Sequence, residues 1–323
     1  MTGIDLGSFL RKIFGFPSGP QANLAVFGKH PGWDDHIDDI GLDTDQLIAV
    51  RRELYLGGIA GNIDSGEWDR LEPGLQIEFG HVFAWIFGEE IVAGRLWASS
   101  DGKGRSRYPM VIAAQCGGHS LDWVLGEVLP RLEQLETDCR AAVDASRIRQ
   151  LAQTCRRELA TAAAAPVKAK VASSERKSLA RLAESPELGV AQSGLISLFY
   201  HMQKDMAAYF ADAREPRADV RHAPQRPGHV RVPWCAPTPA EALSLWSDFL
   251  KNYLVPHVPM LLIMPTGHPW LDIIVGDPTH SELFCLRASR QAMALTTEIP
   301  YSVDDEFAAR VRRLIAAANE SRP

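Results

Sequence analysis

The sequence predicts an α+β fold: two β-α-β-β-β-α halves with mainly antiparallel sheets, joined by a helical middle. Three observations predict it. Short apolar runs bounded by glycine, proline and aspartate recur in both halves, capping signals precede the longer amphipathic runs, and an alanine-, leucine- and arginine-rich stretch lies between them. Strands that follow one another through short turns pair antiparallel, so helices are expected to cover one face of each sheet.

In chain order, Leu24 to Gly28 reads as the first strand, and Thr44 to Gly57 as a helix with capping aspartates. Runs near His81 to Phe87, Glu90 to Ala98 and Tyr108 to Gln115 read as strands, and a helix starts at Ser120. From Ser120 to about Ala165 the composition favours helix. Val167 to Arg181, rich in lysine, serine and alanine, reads as a solvated connector, and another helix is expected over Gly189 to Ala211. Arg214 to Arg231 gathers arginines, histidines and prolines and reads as an exposed linker.

The second half repeats the order of the first. His229 to Trp234 reads as a strand, and Thr238-Pro239-Ala240-Glu241 opens a helix with a capping threonine and proline at its first position. Strands are expected near Pro259 to Met264, Trp270 to Val275 and Glu282 to Leu286, then a helix from Ser302 to about Asn319. Longin-like and profilin-like modules have a comparable order, an analogy of topology that carries no function. The expected organisation is an α/β unit over 1–135, a helical middle and linker over 136–228, and a second β-α-β-β-β-α region over 229–323 packed with the first.

At 323 residues and 46% hydrophobic, the chain is long enough for one large core or two ordinary ones. A formal charge of -6 argues against nucleic-acid binding by phosphate neutralisation. The five cysteines, Cys116, Cys139, Cys155, Cys235 and Cys285, are scattered without a C-x-x-C pair, the usage of a reducing compartment. With no signal-peptide pattern and no apolar segment of spanning length, the expected location is the cytoplasm. Phe9, Leu10, Ile13 and Phe14 share one helical face and read as the core-packing side of a short first helix, the alternative being a membrane surface or a partner groove.

The common phosphate-loop, dinucleotide, serine-elbow and zinc-peptidase motifs are missing. The chemistry-bearing residues gather instead directly after the first strand, from Gly28 to Gly41. Glycine and proline bend the backbone there, and Lys29, His30, Asp34, Asp35, His36, Asp38 and Asp39 crowd one end of the strand. Like charges this close repel, so water, a metal, an arginine or a basic partner must neutralise them. His30, Asp34, Asp35 and His36 are the ligand types for a divalent metal, with His268, Asp272, Asp277 and His280 as a loose second set. The other reading is a structural loop whose aspartates favour a helix start.

A second polar run, Ser99 to Pro109, holds Asp101, Gly104, Arg105, Arg107, Tyr108 and Pro109 between two strands. It reads either as a backbone nest for an anion or as a hairpin tip kept soluble by charge. On a third reading, Arg105 or Arg107 pairs with Asp34 or Asp35 and pins the two loops together.

Gly28-Lys29-His30-Pro31 followed by Asp35, and then Asp101, Gly104-Arg105 and Tyr108-Pro109-Met110, resemble the two signature stretches of the TagF family, accessory proteins of bacterial type VI secretion. That family reads G-K-x-P-x-x-G-D-F and later S-V-D-x-x-G-R-x-F-P-L. The resemblance runs from about Asn23 to Gln115 and is that of a divergent member, with Asp34 at the family's glycine and His36 at its phenylalanine. It implies a non-enzymatic cytoplasmic regulator, often a post-translational repressor, that needs no cofactor and binds a forkhead-associated-domain scaffold protein. The expected binding surface is Gly28, Lys29, His30, Pro31, Asp34, Asp35, Asp101, Gly104, Arg105, Arg107, Tyr108 and Pro109. The runner-up is a divalent-metal hydrolase built on the Asp/His loop over 30–39.

Overall fold

A computed structural model describes residues 21–165, 175–189, 192–210 and 226–320. The first half runs β1 (Gln21–Gly28), α1 (Asp45–Val50), a π-helical stretch Arg51–Ala60, α2 (Gly61–Ser65), β2 (Gly80–Phe87), β3 (Glu90–Trp97) and β4 (Met110–Gly117). The middle holds α3 (Leu121–Trp123), a π-helical stretch Val124–Val128, α4 (Leu129–Ala141), α5 (Ala145–Ala164), α6 (Glu175–Ala183) and α7 (Ser193–Asp205). The second half runs β5 (Gly228–Pro233), α8 (Pro239–Lys251), β6 (Met260–Pro265), β7 (Trp270–Val275), α9 (His280–Leu283) and α10 (Asp305–Glu320). The amphipathic run Phe9 to Phe14, the first part of the expected connector and most of the Arg214 to Arg231 linker lie outside the described residues.

The two halves build one sheet rather than two. Among the described residues the strand order is β1-β4-β3-β2-β6-β7-β5, and every neighbouring pair is antiparallel. β2 and β6 pair from His81 opposite Pro265 to Ile86 opposite Met260, so the halves join by backbone hydrogen bonds. Helices cover both faces, not one. Alternation along the strands sends Val26, Ala84, Ile112 and Ile273 toward the middle helices, while Phe27, Phe83, Val111 and Ile274 meet Leu47, Leu54, Ile59 and Leu283. Strands such as β4, buried from Met110 to Cys116, are apolar on both sides, and only a covering layer on each face removes that surface from water.

Three expectations change in the second half and the middle. The expected strand over Glu282 to Leu286 is α9 followed by a 3-10 turn, Phe284–Leu286. Thr279 and Glu282 form a capping box there: the Ser281 amide donates to Thr279 Oγ1 at 3.2 Å, and the Thr279 amide donates to Glu282 Oε2 at 2.9 Å. A four-residue apolar run has no period of its own, so the local cap decides the backbone. The expected solvated connector instead ends inside α6, which buries Leu179 and Ala180 within it and Leu182 just beyond it.

Arg231, the last residue of the expected linker, is 1% exposed inside β5. Its guanidinium donates to Asp272 through Nε (2.8 Å) and Nη2 (3.0 Å), and to the carbonyls of Ala288, Met293 and Cys285 at 3.0, 3.0 and 3.2 Å. A buried guanidinium is tolerable only when its donors find acceptors in this way. The arginine ties β5 and β7 to the irregular segment after α9.

His81 lies on the same face of the sheet and is 2% exposed, with Nε2 lacking a partner. Burial pushes its imidazole down to about 3 from 6.5. The folded pKa is therefore below the unfolded one. The neutral form's contribution is complete above about pH 6.5 and is lost as pH falls toward 3. Urea midpoints measured across this window are expected to fall with acidification, one such group contributing at most about 1.4 kcal/mol per pH unit. His81→Leu is expected to flatten part of the slope.

Candidate functional site

The site begins where β1 ends. Gly28 has φ +102, and a Cβ there would lie 2.3 Å from the Pro109 carbonyl oxygen, so only glycine lets the strand end sit on the second polar run. The chain then doubles back along β1. Ile37 N donates to Gly28 O at 2.7 Å, and Val26 and Ile40 exchange amide-to-carbonyl bonds of 2.9 and 3.0 Å. The loop therefore covers the outer edge of β1, an edge that would otherwise present unpaired backbone groups.

Lys29 is 4% exposed. Its ammonium donates to Asp101 Oδ2 at 2.5 Å and to Asp35 Oδ1 at 3.3 Å, and lies 6.0 Å from the Tyr108 ring centroid. Asp101, 2% exposed, collects further donors: the Lys103 and Arg105 amides at 3.0 Å each on Oδ1, and Arg105 Nε at 2.7 Å on Oδ2. Burial alone would raise the Asp101 carboxyl, but the bonds from Lys29, from the Arg105 amide and side chain and from the Lys103 amide hold it well below the usual range. The hydrogen bond from Lys29, opposed by burial and aided by His36 and Arg105, also lowers Asp35.

The two polar loops meet. Arg105 Nη2 donates to the Asp34 carbonyl at 2.8 Å and lies 3.3 Å from Asp35 Oδ1, while the Gly102 amide donates to Trp33 O at 2.7 Å. Gly104, at φ +78, closes the turn that returns Arg105 to Asp101. Arg107 takes no part in the junction; it pairs with Asp69 at 2.7 Å instead. Tyr108 packs edge-on against His36 with centroids 5.1 Å apart and lies 5.9 Å from Tyr55. The buried Pro109 offers its carbonyl to the Lys29 amide at 3.1 Å and to the Tyr55 hydroxyl at 3.3 Å.

The remaining aspartates are neutralised from further away. Asp38 pairs with Arg149 and Asp43 with Arg156, both on α5, at 2.8 and 2.7 Å; Asp39 pairs with Arg51 at 2.8 Å. Arginines, together with Lys29 and Lys103, therefore provide the counter-charge that the sequence demands. Arg149 and Arg156 carry no local signal in sequence, because their pairs with Asp38 and Asp43 span more than a hundred residues.

The candidate metal ligands do not converge. His30 is 2% exposed, its Nε2 directed at the Cys139 carbonyl at 3.1 Å and its Nδ1 accepting from the Gly32 amide at 3.0 Å. Both ring nitrogens are engaged and burial lowers its pKa, so His30 is a neutral anchor that fastens the loop to the end of α4. Pro31 and Asp34 face water, and His36 is bonded to Asp35 at 3.0 Å. Nor do His268, Asp277 and His280 join Asp272 in a metal-sized cluster among the described residues. Asp272 lies with His229 and Cys285 within 4.8 Å, but both of its oxygens already receive the Arg231 guanidinium.

Compared with family models and with curated proteins, the chain matches none of them.

Arg105 bridges the loops and Arg107 does not, so the two side chains are separable. Arg105→Ala is expected to speed amide exchange across residues 30–39 by about tenfold or more, by raising the population of locally open states. Arg107→Ala is expected to leave those amides unchanged. Equal effects of the two substitutions in hydrogen-exchange measurements would contradict the assignment.

Proposed function

We propose that this chain is a non-enzymatic, cytoplasmic accessory protein of a type VI secretion system, a divergent relative of the TagF family. It acts by binding a forkhead-associated-domain scaffold and restrains secretion after translation. The system and the partner come from the resemblance of the two sequence stretches. One observation of geometry supports the reading: the buried Lys29–Asp101 pair, 2.5 Å long, holds the two stretches against each other. Residues 72 apart in sequence have no local reason to match as a lysine and an aspartate, and here they hold each other.

A binding role also agrees with how the polar groups are used. His30, Lys29, Asp101 and Arg105 are bonded to one another or to backbone, an arrangement that fixes a shape rather than presenting a free base or nucleophile. Tyr108, Arg105 and Trp33 are residue types that anchor protein interfaces. No described helix is long and apolar enough to cross a membrane.

Titration of the purified chain with the scaffold protein tests the proposal. Binding with a dissociation constant of about 1 µM or tighter is expected. Arg105→Ala is expected to weaken it by about tenfold through loss of loop order, whereas the distant Arg181→Ala leaves it unchanged. Absence of wild-type binding at a concentration of about 100 µM would overturn the proposal.

A further inference from the structure

The charges of the proposed docking surface are already paired within the molecule. Lys29 with Asp101, Arg105 with Asp35, Lys103 with Asp34, Arg149 with Asp38, Arg51 with Asp39 and Arg107 with Asp69 form a mosaic of alternating sign. A partner's charge gains little against exposed ions that have a counter-ion in place. What the surface leaves unsatisfied is apolar.

The apolar groups lie together beside the first loop. Gly32 rests on the turn between α4 and α5, where a Cβ would come within 2.6 Å of the Ala145 amide nitrogen. On that turn Val143 is 79% exposed, against 45%, 46% and 41% for the other exposed large hydrophobics among the described residues, Ile48, Leu56 and Leu314. Pro31 is exposed next to Gly32, and Trp33 is half-buried. The indole is held on three sides: its Nε1 donates to Asp38 at 3.2 Å, the Arg149 guanidinium lies 5.3 Å from its ring centroid, and the His30 ring meets it edge-on at 5.8 Å. A clamped aromatic ring loses little freedom on binding. Ion pairs around an apolar centre resemble the rim that keeps water from the energetic core of an interface.

We infer that Pro31, Trp33 and Val143 form the energetic centre of the docking surface, and that its occupant is a folded protein presenting a small, uncharged apolar cleft. The inference rests on the proposed function and names the partner's chemistry at that site. The charge balance of the mosaic selects such a partner: a strongly acidic or basic surface would have to displace an existing counter-ion, whereas a neutral cleft accepts the valine and proline without doing so.

The test is titration of wild type, Val143→Asp and Arg181→Ala against the scaffold protein at low and high salt, with melting curves of each. Val143→Asp is expected to weaken binding by about tenfold or more with an unchanged melting temperature, since the side chain touches little of its own fold. The distant Arg181→Ala is expected to stay within about threefold of wild type. Wild-type affinity is expected to change less than about threefold between ~0.05 and ~0.5 M salt. Val143→Asp binding like wild type, a steep salt dependence, or a Val143-dependent dimer of the chain in sedimentation overturns this inference and leaves the proposed function standing. Absence of wild-type binding overturns both.

Discussion

One buried ion pair organises the first half of the molecule. Lys29 leaves β1 where the strand edge is closing and would bury an ammonium at a steep cost were Asp101 not 2.5 Å away. Asp101 in turn is acceptable at 2% exposure because amides, an ammonium and a guanidinium saturate its oxygens. The loop over 29–40, the tip over 101–109 and the aromatic group of His36, Tyr55 and Tyr108 take their positions from that pair. Removing one charge strands the other, so the junction is held as a unit.

The second half contains a counterpart. Arg231 and Asp272 are 1% exposed each and tie β5 and β7 to the segment after α9. In each half a buried cation in or directly after the leading strand meets a carboxylate from later in that half. The consequences differ. Around Lys29 the network reaches the surface and shapes loops that face water, whereas around Arg231 it ends on backbone carbonyls and closes the fold. That difference is why the first cluster is the candidate site and the second is scaffold.

Much of this was legible in sequence, and the failures have physical reasons. The element order of the first half, the meeting of the two polar loops and the need of the aspartates for counter-charge follow from periodicity, glycine placement and Coulomb repulsion. The source of that counter-charge was only partly legible: Arg105 is close in sequence to the second loop, but Arg51, Arg149 and Arg156 arrive through tertiary packing. Burial of Arg231 was hidden because a run of arginines and prolines has the composition of a solvated segment, and composition does not register one carboxylate on a neighbouring strand. The merging of two expected sheets into one depends on the β2–β6 edge pairing, which leaves no pattern in either strand. Glu282 to Leu286 turned helical because a local capping box outweighed a short apolar run.

Lys29 and Asp101 act as one unit, and a double-mutant cycle on stability measures that directly. Urea denaturation at neutral pH of Lys29→Met, Asp101→Leu and the double variant gives the coupling between them. The double variant is expected to lose clearly less than the sum of the two single losses, because removing the second charge relieves the buried charge that the first removal left unpaired. Strict additivity of the two losses would show that the pair does not hold the junction.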